Sequence, residues 1–260
     1  MIYKVWYIIL WFLNEGVILR DVLDIKEVTF EYVKGKKVLD CINMNIGLGE
    51  LPVLVGPNGS GKTTLMKLIF DLLKLQKGDI LITGTNNKSI ASKQNAIYLP
   101  SDNLLPEFLT GHEYIKLMCD LYDFRYDYSL LNKLVEFYSM KEHVGELIET
   151  YSHGMVKKIQ LITAFLIQPD LIVIDETLNG IDIEAKEITK ILMRQIVDKN
   201  KTVLMCTHDL DFAREIGSRV IIMHKGSIYE DVATCEIDED VTLTDMLRSI
   251  VKFEDNAYEI

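Results

Sequence analysis

The amino-acid sequence predicts an α/β protein whose core is a mainly parallel sheet, and three observations lead to this prediction. Short apolar runs recur along the chain, for example at 51–56 (LPVLVG) and 171–175 (LIVID). Segments with the periodicity of an amphipathic helix, such as 183–200, separate these runs. Several runs end next to glycine, a carboxylate or histidine. Buried strands that alternate with helices form parallel sheets, and ligands bind at the carboxyl ends of the strands.

The N-terminal elements follow a different pattern. Residues 24–33 (DIKEVTFEYV) alternate like a half-exposed strand, and a Lys-Gly-Lys-Lys turn leads to a second strand at 38–48. We therefore expect an antiparallel β subdomain at this end of the chain. The core begins with the strand at 51–56, and the next segment, 62–74, has the apolar face of a helix. Further strand candidates follow at 78–84 and 95–100.

Helices replace strands between about 102 and 155, where 110–124 and 129–140 show helical periodicity. We interpret this part as a helical subdomain inserted into the sheet. After it we expect strands at 170–176, 202–209 and 218–226, separated by helices at 183–200 and 210–217. The whole of 23–260 is expected to form a single domain, with a short C-terminal extension over about 227–260.

Residues 1–22 form an N-terminal extension whose status the sequence leaves open. Its apolar run from Val5 to Leu13 is about half of the roughly 20 residues needed to cross a bilayer, so we predict no transmembrane helix. Three alternatives stand: an anchor at the membrane surface, an added packing segment, or residues 1–18 that are not naturally translated. Codons for 15–17 (EGV) that resemble a ribosome-binding site, ahead of a start at Leu19, would support the third.

The composition argues against some classes of function. A net charge of −11 disfavours binding to a nucleic-acid backbone, which needs a basic surface. The four cysteines, Cys41, Cys119, Cys206 and Cys235, show neither CxxC spacing nor a matching histidine cluster. We therefore predict no zinc site and no disulfide framework, and a reducing cytosol fits best.

A glycine-rich loop with the pattern GxxxxGKT lies directly after the strand 51–56 and directly before a helix. In such a P-loop, backbone N–H groups surround the phosphates of a nucleotide, the lysine reaches the terminal phosphates and the threonine hydroxyl ligates Mg²⁺. We therefore predict the core of a P-loop NTPase. The predicted nucleotide-binding residues are Gly56, Pro57, Asn58, Gly59, Ser60, Gly61, Lys62, Thr63 and Thr64, with Thr63 also a metal ligand.

Two later strand ends supply groups that hydrolysis requires. The strand 171–175 ends in Asp175, which we expect to ligate Mg²⁺, and the next residue, Glu176, is expected to polarise the attacking water. His208 follows the next apolar strand. A lone histidine is more often structural, but strand ends in a parallel sheet converge on the ligand, which favours a catalytic role for His208.

A second anion-binding pattern lies at 151–158 (YSHGMVKK), where Ser152 and Gly154 precede a predicted helix, 155–167. Backbone N–H groups and the positive end of the helix dipole attract an anion to such a helix start. The P-loop already provides a phosphate site, so the pattern raises the question of which anion would bind here.

With the P-loop, YSHGM, LIVIDE and CTHD in this order, the chain resembles the ATP-binding subunits of ABC transporters from about Leu23 to Gly226. The resemblance implies that Ser152 and Gly154 bind the γ-phosphate of ATP held by the opposite subunit. It also implies adenine stacking by Tyr32, a place at the dimer seam for Asp182, catalysis by Glu176 and γ-phosphate contact by His208. Plain packing is the alternative for Tyr32.

Three positions depart from the family pattern. The Ser-x-Gly segment is the signature of the family, and in this chain it reads Ser-His-Gly-Met at 152–155. This form departs from the usual centre of the signature and resembles the Ser-Lys-Gly-Met of bacterial export-type subunits. Thr177-Leu178 stands where Pro-Thr is familiar, which is expected to alter loop rigidity more than chemistry. Ser101 stands where a glutamine commonly reaches the metal and the water. Ser101 is too short for this, so we expect looser Mg²⁺-dependent coupling unless Asp102 or a water substitutes.

The resemblance implies an ATP-hydrolysing subunit of a bacterial ABC transporter, most simply an exporter, with ATP and Mg²⁺ as cofactors. The expected partners are a separate transmembrane permease subunit and a second ATP-binding subunit, in a homodimer or heterodimer at the cytoplasmic face of the membrane. No nucleic acid is expected as a partner. The alternatives are a soluble non-transport ABC ATPase and a nucleotide-binding regulator with slow turnover. Either a permease socket or core packing accounts for Leu104, Leu105, Pro106 and Phe108.

Overall fold

The computed structural model describes residues 21–237 except 103 and 209, together with 245, 246 and 248. The strands, in chain order, are β1 (Asp21–Val33), β2 (Lys36–Gly47), β3 (Pro52–Val55), β4 (Lys77–Ile82), β5 (Thr85–Asn86), β6 (Ala96–Leu99), β7 (Leu171–Asp175), β8 (Thr202–Thr207), β9 (Arg219–His224) and β10 (Ser227–Ala233). The helices are α1 (Lys62–Ile69), α2 (Ile90–Gln94), α3 (Gly111–Leu121), α4 (Tyr128–Phe137), α5 (His153–Ile167), α6 (Ile183–Val197) and α7 (Leu210–Ile216). Short 3-10 turns lie at Ile148–Thr150 and Thr234–Glu236.

The strands form two sheets. An antiparallel sheet has the order β2-β1-β4-β5, which confirms the predicted N-terminal β subdomain. The second sheet has the order β10-β9-β3-β8-β7-β6. Its strands from β9 to β6 are parallel, and β10 pairs antiparallel with β9. The predicted mainly parallel core is therefore confirmed.

The parallel sheet is buried on both faces, because successive residues of a strand point to opposite sides. In β7, Ile172 and Ile174 pack in the apolar cluster that the sheet forms with helices α3 to α7. Leu171 and Val173 pack in the cluster on the other face, with α1 and the antiparallel sheet. This double burial explains why the central strands read as unbroken apolar runs in the sequence.

The register of the parallel strands brings several strand ends to one edge. Val55, the last residue of β3, pairs with Thr207 at the end of β8. Asp175, the last residue of β7, pairs with Cys206 one residue earlier in β8. The P-loop, the 176–182 loop and the segment that starts at His208 therefore all leave the sheet at the same edge.

The predicted helical subdomain lies between β6 and β7. Thr110 and Glu113 cap α3 reciprocally in a capping box, and Asp127 caps α4. Helix α5 begins inside the predicted subdomain and continues to the residue before the turn into β7. Since α5 packs against both α3 and α4, it connects the subdomain with the core.

Helix α1 is shorter than the sequence predicts, since it ends at Ile69 rather than near residue 74. The buried Asn87 side chain donates hydrogen bonds to the carbonyls of Leu68 and Ile69, at 2.8 and 3.1 Å. Asp71 then adopts a left-handed backbone with φ of +56°. The prediction was wrong because a distant side chain satisfies carbonyls that another helical turn would otherwise bond.

Both chain ends lie largely outside the described residues, so the predictions for 1–20 and for most of 238–260 are not addressed. Strand β1 begins at Asp21. The segment predicted as a C-terminal extension begins with β10, which is an edge strand of the sheet. In the part of the chain that the structure describes, no helix has both the length and the apolar character required to span a membrane.

Candidate functional site

The P-loop connects the end of β3 to the start of α1, and two of its glycines are required by its geometry. A side chain at Gly56 would place its Cβ 2.2 Å from the carbonyl oxygen of Met223, so no larger residue fits. Gly61, at the helix start, has φ of +107°, a backbone conformation that favours glycine. The loop therefore bends tightly back to α1 and presents its backbone N–H groups at the positive end of the helix.

Lys62 folds back over this loop. Its Nζ donates to the carbonyl oxygens of Gly56 and Pro57, at 2.8 and 3.3 Å, and only 6% of the residue is exposed. The ammonium group therefore lies over the loop. An open cleft of about 210 Å³ lies beside it, and is lined by Val38, Asn58, Gly59, Gly61, Lys62, Thr63, Thr64 and Glu176.

Asp175 lies behind the cleft and is almost completely buried. Its Oδ2 accepts a hydrogen bond of 3.0 Å from the Tyr98 hydroxyl, while its Oδ1 is buried with no hydrogen-bond partner. Burial raises the pKa of Asp175, and the hydrogen bond from Tyr98 and the nearby Thr63 hydroxyl partly offset this effect. A buried, unpaired carboxylate oxygen next to a threonine hydroxyl suits a hard cation such as Mg²⁺, which binds one or two carboxylates together with phosphates.

Glu176 and His208 are in contact at the mouth of the cleft. Glu176 has a left-handed backbone with φ of +53°, and its N–H donates to the carbonyl of Cys206 at 3.0 Å. This turn directs the side chain into the cleft, although Asp175 next to it points into the protein. One carboxylate oxygen of Glu176 lies 3.3 Å from Nδ1 of the exposed His208. The structure thus brings the predicted P-loop, Asp175, Glu176 and His208 together.

Thr177 fixes the turn that carries Glu176. The Thr177 side chain is fully buried, and its hydroxyl donates to the carbonyl of Leu99 at 2.8 Å. A proline at this position would make no such bond. The departure from the family pattern thus replaces the stiffness of a proline ring with a hydrogen bond to the neighbouring strand.

Tyr32 lies beside the P-loop. Its hydroxyl is 3.3 Å from the hydroxyl oxygen of Thr64, and its ring makes an edge contact with Phe30. The residue is 58% exposed. An exposed aromatic face next to the phosphate loop is compatible with stacking on a base.

The signature segment is located elsewhere, against the loop that follows Glu176. Ser152 caps α5 by accepting a hydrogen bond from the Met155 N–H at 3.3 Å. A Cβ at Gly154 would lie 3.1 Å from the carbonyl oxygen of Gly180. Lys157 of the same helix donates a hydrogen bond to the carbonyl of Asn179, and burial lowers the pKa of Lys157. Ser152 and Gly154 do not line the P-loop cleft.

Asp182, predicted at the dimer seam, has two partners within its own chain. It caps α6 by accepting a 2.8 Å hydrogen bond from the Ala185 N–H. It also pairs with Lys158 of α5, at 2.5 Å. The Lys158 ammonium holds the pKa of Asp182 below its usual range, and the Ala185 N–H acts in the same direction. The signature helix and the 179–182 loop are therefore fastened to each other.

Comparison with known proteins identifies the family. A family model described as ABC transporter matches residues 39–179. The ABC transporter ATP-binding protein YthP of Bacillus subtilis, itself uncharacterised, is 35% identical over 201 residues, which are 76% of this chain and 81% of that protein. The chain belongs to the ABC transporter ATP-binding family. The predicted family and the predicted class of enzyme, an ATPase, are thereby confirmed.

Two further proteins are similar to this ABC ATP-binding subunit. ZnuC of Ehrlichia ruminantium, a zinc import ATP-binding protein, is 28% identical over 88% of this chain and 90% of its own length. A solved ATP-binding cassette, described as a dimer in a post-hydrolysis state with ADP and Pi, is 22% identical and covers 82% of this chain and 98% of its own. Its TM-score of 0.73 shows the shared fold. The relatives include an import ATPase, so they do not establish the predicted export direction.

Sequence reasoning missed three side chains of this ABC subunit that contact predicted site residues or the loop beside them. Val38 lines the cleft, Lys157 bonds the 179–182 loop and Tyr98 bonds Asp175. A signal existed for Tyr98, because the polar hydroxyl interrupts an otherwise apolar strand that precedes the Ser101 position. No comparable signal existed for Val38 or Lys157, whose placement depends on how separate elements pack.

A groove of about 530 Å³ lies between the core and the helical subdomain. Leu104 and Leu105 line it, together with Met118 of α3, and Leu104 is 83% exposed. Phe108 is also exposed, at 78%, but does not line the groove. The exposure of Leu104 and Phe108 excludes core packing as the explanation for these two residues; Leu105 packs partly against the core.

Proposed function

We propose that this chain binds and hydrolyses MgATP at the P-loop cleft and drives a separate membrane permease as one half of a dimer. One observation carries the ATPase site: the cleft joins the P-loop and Glu176 in a single cavity, with the unpaired Oδ1 of Asp175 directly behind it. We also propose that residues 23–260 act as one domain, because the described part has one continuous, mainly parallel sheet with a core on each face.

Each group at the cleft has a role that its position supports. The P-loop N–H groups and Lys62, after it leaves the carbonyls of Gly56 and Pro57, bind the phosphates. Thr63 and Asp175 would hold Mg²⁺, which neutralises charge on the phosphates as the terminal bond breaks. Glu176 orients and polarises the attacking water, and His208 contacts both Glu176 and the γ-phosphate. Tyr32 stacks on the adenine.

The position of the signature supports a dimer. Ser152 and Gly154 form a helix start with the N–H groups and dipole that attract phosphate, yet they lie at the 179–182 loop rather than in the cleft of the same chain. A second subunit would bring its own signature over this chain's nucleotide. In that arrangement, the anion bound by Ser152 and Gly154 is the γ-phosphate of the partner's ATP.

Mixing two inactive variants tests this composite site. Lys62→Met removes the phosphate-binding ammonium. Ser152→Asp keeps a good helix cap but places a negative charge where the partner's phosphate would lie. Each variant alone should show almost no ATP turnover. A mixed dimer contains one site with an intact P-loop and an intact signature, so mixing should restore phosphate release to a substantial fraction of the wild-type rate.

The outcomes of the mixing experiment are distinct. If both variants remain inactive after mixing, although size measurements show that they associate, the signature does not act across subunits. If Ser152→Asp alone keeps full turnover, the segment does not bind the phosphate. Nucleotide binding by the isolated Ser152→Asp variant should match the wild type, because its own cleft is unchanged.

We further propose that a membrane permease binds at the groove beside Leu104 and Leu105, at the cytoplasmic face of the membrane, and that transport is outward. The exposed apolar side chains support the docking site, and the Ser-His-Gly-Met signature supports export. Purification from gently solubilised membranes should yield a polytopic membrane subunit. Leu104→Asp should weaken the association with this subunit. The proposal would be contradicted if the chain were recovered with a soluble protein complex instead, or if Leu104→Asp bound the membrane subunit as well as the wild type does.

A further inference from the structure

Tyr98 of β6 reaches across the sheet to the predicted metal ligand. In the parallel register Tyr98 is paired with Val173, yet its hydroxyl donates to Oδ2 of Asp175, two residues farther along β7, at 3.0 Å. Such a diagonal contact lies within reach of a long aromatic side chain. The hydroxyl is therefore a direct partner of the carboxylate, although the strand pairing does not place the two residues opposite each other.

The Tyr98 ring is held in place from the other side. It stacks on Phe70, with ring centroids 5.1 Å apart and an angle of 20° between the planes. Phe70 is the C-terminal cap residue of α1, the helix that begins with Lys62 after the P-loop. The element that carries the phosphate-binding lysine therefore also fixes the tyrosine that contacts Asp175.

This contact distinguishes the two oxygens of Asp175. Oδ2 is occupied by the tyrosine hydroxyl, while Oδ1 is buried and has no hydrogen-bond partner. A partial rotation of the carboxylate would break the bond to Tyr98, so this bond holds one oxygen at the tyrosine and the other in the position of Oδ1. A buried, unpaired carboxylate oxygen is costly unless a partner takes it. Thr63, the other predicted metal ligand, lines the cleft beside Glu176, the residue that follows Asp175.

We propose that Tyr98 is a positioning residue for the metal: it holds Oδ2 of Asp175 and thereby presents Oδ1 to the cation. This inference rests on the proposed Mg²⁺ site at Thr63 and Asp175. Residues that orient metal ligands commonly alter metal affinity by 10- to 100-fold when they are replaced. Tyr98 does not contact the nucleotide phosphates in this role, so metal-free nucleotide binding should not depend on it.

The test compares affinity for a non-hydrolysable ATP analogue, AMP-PNP, in Mg²⁺ and in EDTA, with the full chain. The ratio of the two dissociation constants measures how much the metal strengthens binding. Tyr98→Phe removes the hydroxyl and keeps the ring on Phe70; it should reduce this ratio about tenfold and leave the EDTA value unchanged. Phe70→Leu keeps the hydroxyl but removes the stack, and should reduce the ratio less.

Tyr122→Phe is the matched control. The Tyr122 hydroxyl donates to the carbonyl of Ala96, in the same strand as Tyr98, at 2.9 Å. Its removal costs a comparable hydrogen bond without touching Asp175, so the metal-dependent ratio should stay at the wild-type value. The unchanged EDTA affinity shows in each case that the variant is folded.

Asp175→Asn separates failure of this inference from failure of the metal site. If Asp175→Asn abolishes the metal-dependent gain and Tyr98→Phe keeps all of it, Tyr98 only packs, and the inference is overturned while the metal site stands. If the wild type shows no gain with Mg²⁺, or Asp175→Asn leaves the gain intact, the proposed metal site and the role of Tyr98 are both overturned.

Discussion

The P-loop cleft and the signature segment are two potential phosphate sites that are built in opposite ways. The cleft collects residues from three separate parts of the chain: Val38, the P-loop with the start of α1, and Glu176. The last two meet because the strands before them end in register at one sheet edge. The signature is a local feature, in which Ser152 and Gly154 belong to one helix start. The sheet thus assembles the cleft from distant parts of the chain, whereas the signature segment is contained within one helix start.

The two regions also differ in what their polar groups contact. In the cleft region, the Oδ1 of Asp175 is buried and unpaired. Near the signature, Lys157 and Lys158 instead pair with the 179–182 loop of the same chain, at Asn179 and Asp182. The carboxylate behind the cleft thus lacks a partner within the chain, whereas the signature helix is bonded to the loop that directly follows Glu176. This contrast leads to four predictions.

The largest effect is expected at Glu176. Glu176→Gln keeps the shape of the side chain but cannot polarise the water, so ATP turnover should fall by at least about 100-fold. ATP binding should be retained, because the P-loop is unchanged. Phosphate release under multiple turnover and equilibrium nucleotide binding measure the two quantities; near-normal turnover would show that this site does not use Glu176 as its base.

At the signature, the two substitutions of Ser152 should differ in their effect on stability. Ser152→Ala removes the cap of α5 and should lower the free energy of unfolding by about 1 kcal/mol. Ser152→Asp restores a cap and should leave stability close to the wild type. Denaturant unfolding of both variants checks this expectation. Equal destabilisation by the two substitutions would mean that the cap does not account for the contribution of Ser152.

An effect of similar size is expected at the turn behind the cleft. Thr177→Val keeps the buried shape but removes the hydroxyl that donates to Leu99, so the free energy of unfolding should fall by about 1 kcal/mol. Turnover should fall as well, since the backbone that directs Glu176 loses its tie to β6. Unchanged stability and unchanged turnover would show that the hydrogen bond does not fix the turn.

The smallest effect is expected for the pair between Lys158 and Asp182. Asp182→Asn retains the cap of α6 and removes the charge; because the Asp182 side chain is 53% exposed, we expect a loss of about 0.5 kcal/mol at neutral pH. The pKa of Asp182 is lowered in the folded state, so its contribution is present above the ordinary value of 3.8 and disappears as the pH falls through the folded value. Unfolding measured from pH 7 to pH 3 should show the two proteins converging. A difference that persists at low pH would assign the effect to something other than charge.

The comparison of the two regions also shows how far sequence reasoning reaches. The P-loop was predictable because glycine, lysine and threonine occur at fixed spacing between a strand and a helix. Asp175 and Glu176 were predictable from their place after an apolar run. The end of α1 was not, because Asn87 comes from a separate part of the chain.

The sequence by itself therefore determined the α/β class, the family and the chemistry of the P-loop, since all three depend on local patterns of residue types. Only the tertiary structure decided which side chains meet. Tyr98 reaches Asp175 because β6 lies next to β7 in a particular register, and Lys158 meets Asp182 because α5 packs against the start of α6. Tyr98 and Asp175 are 77 residues apart in the chain, and Lys158 and Asp182 are 24 residues apart. Local residue patterns do not determine contacts over such separations, because the contacts depend on how whole strands and helices pack.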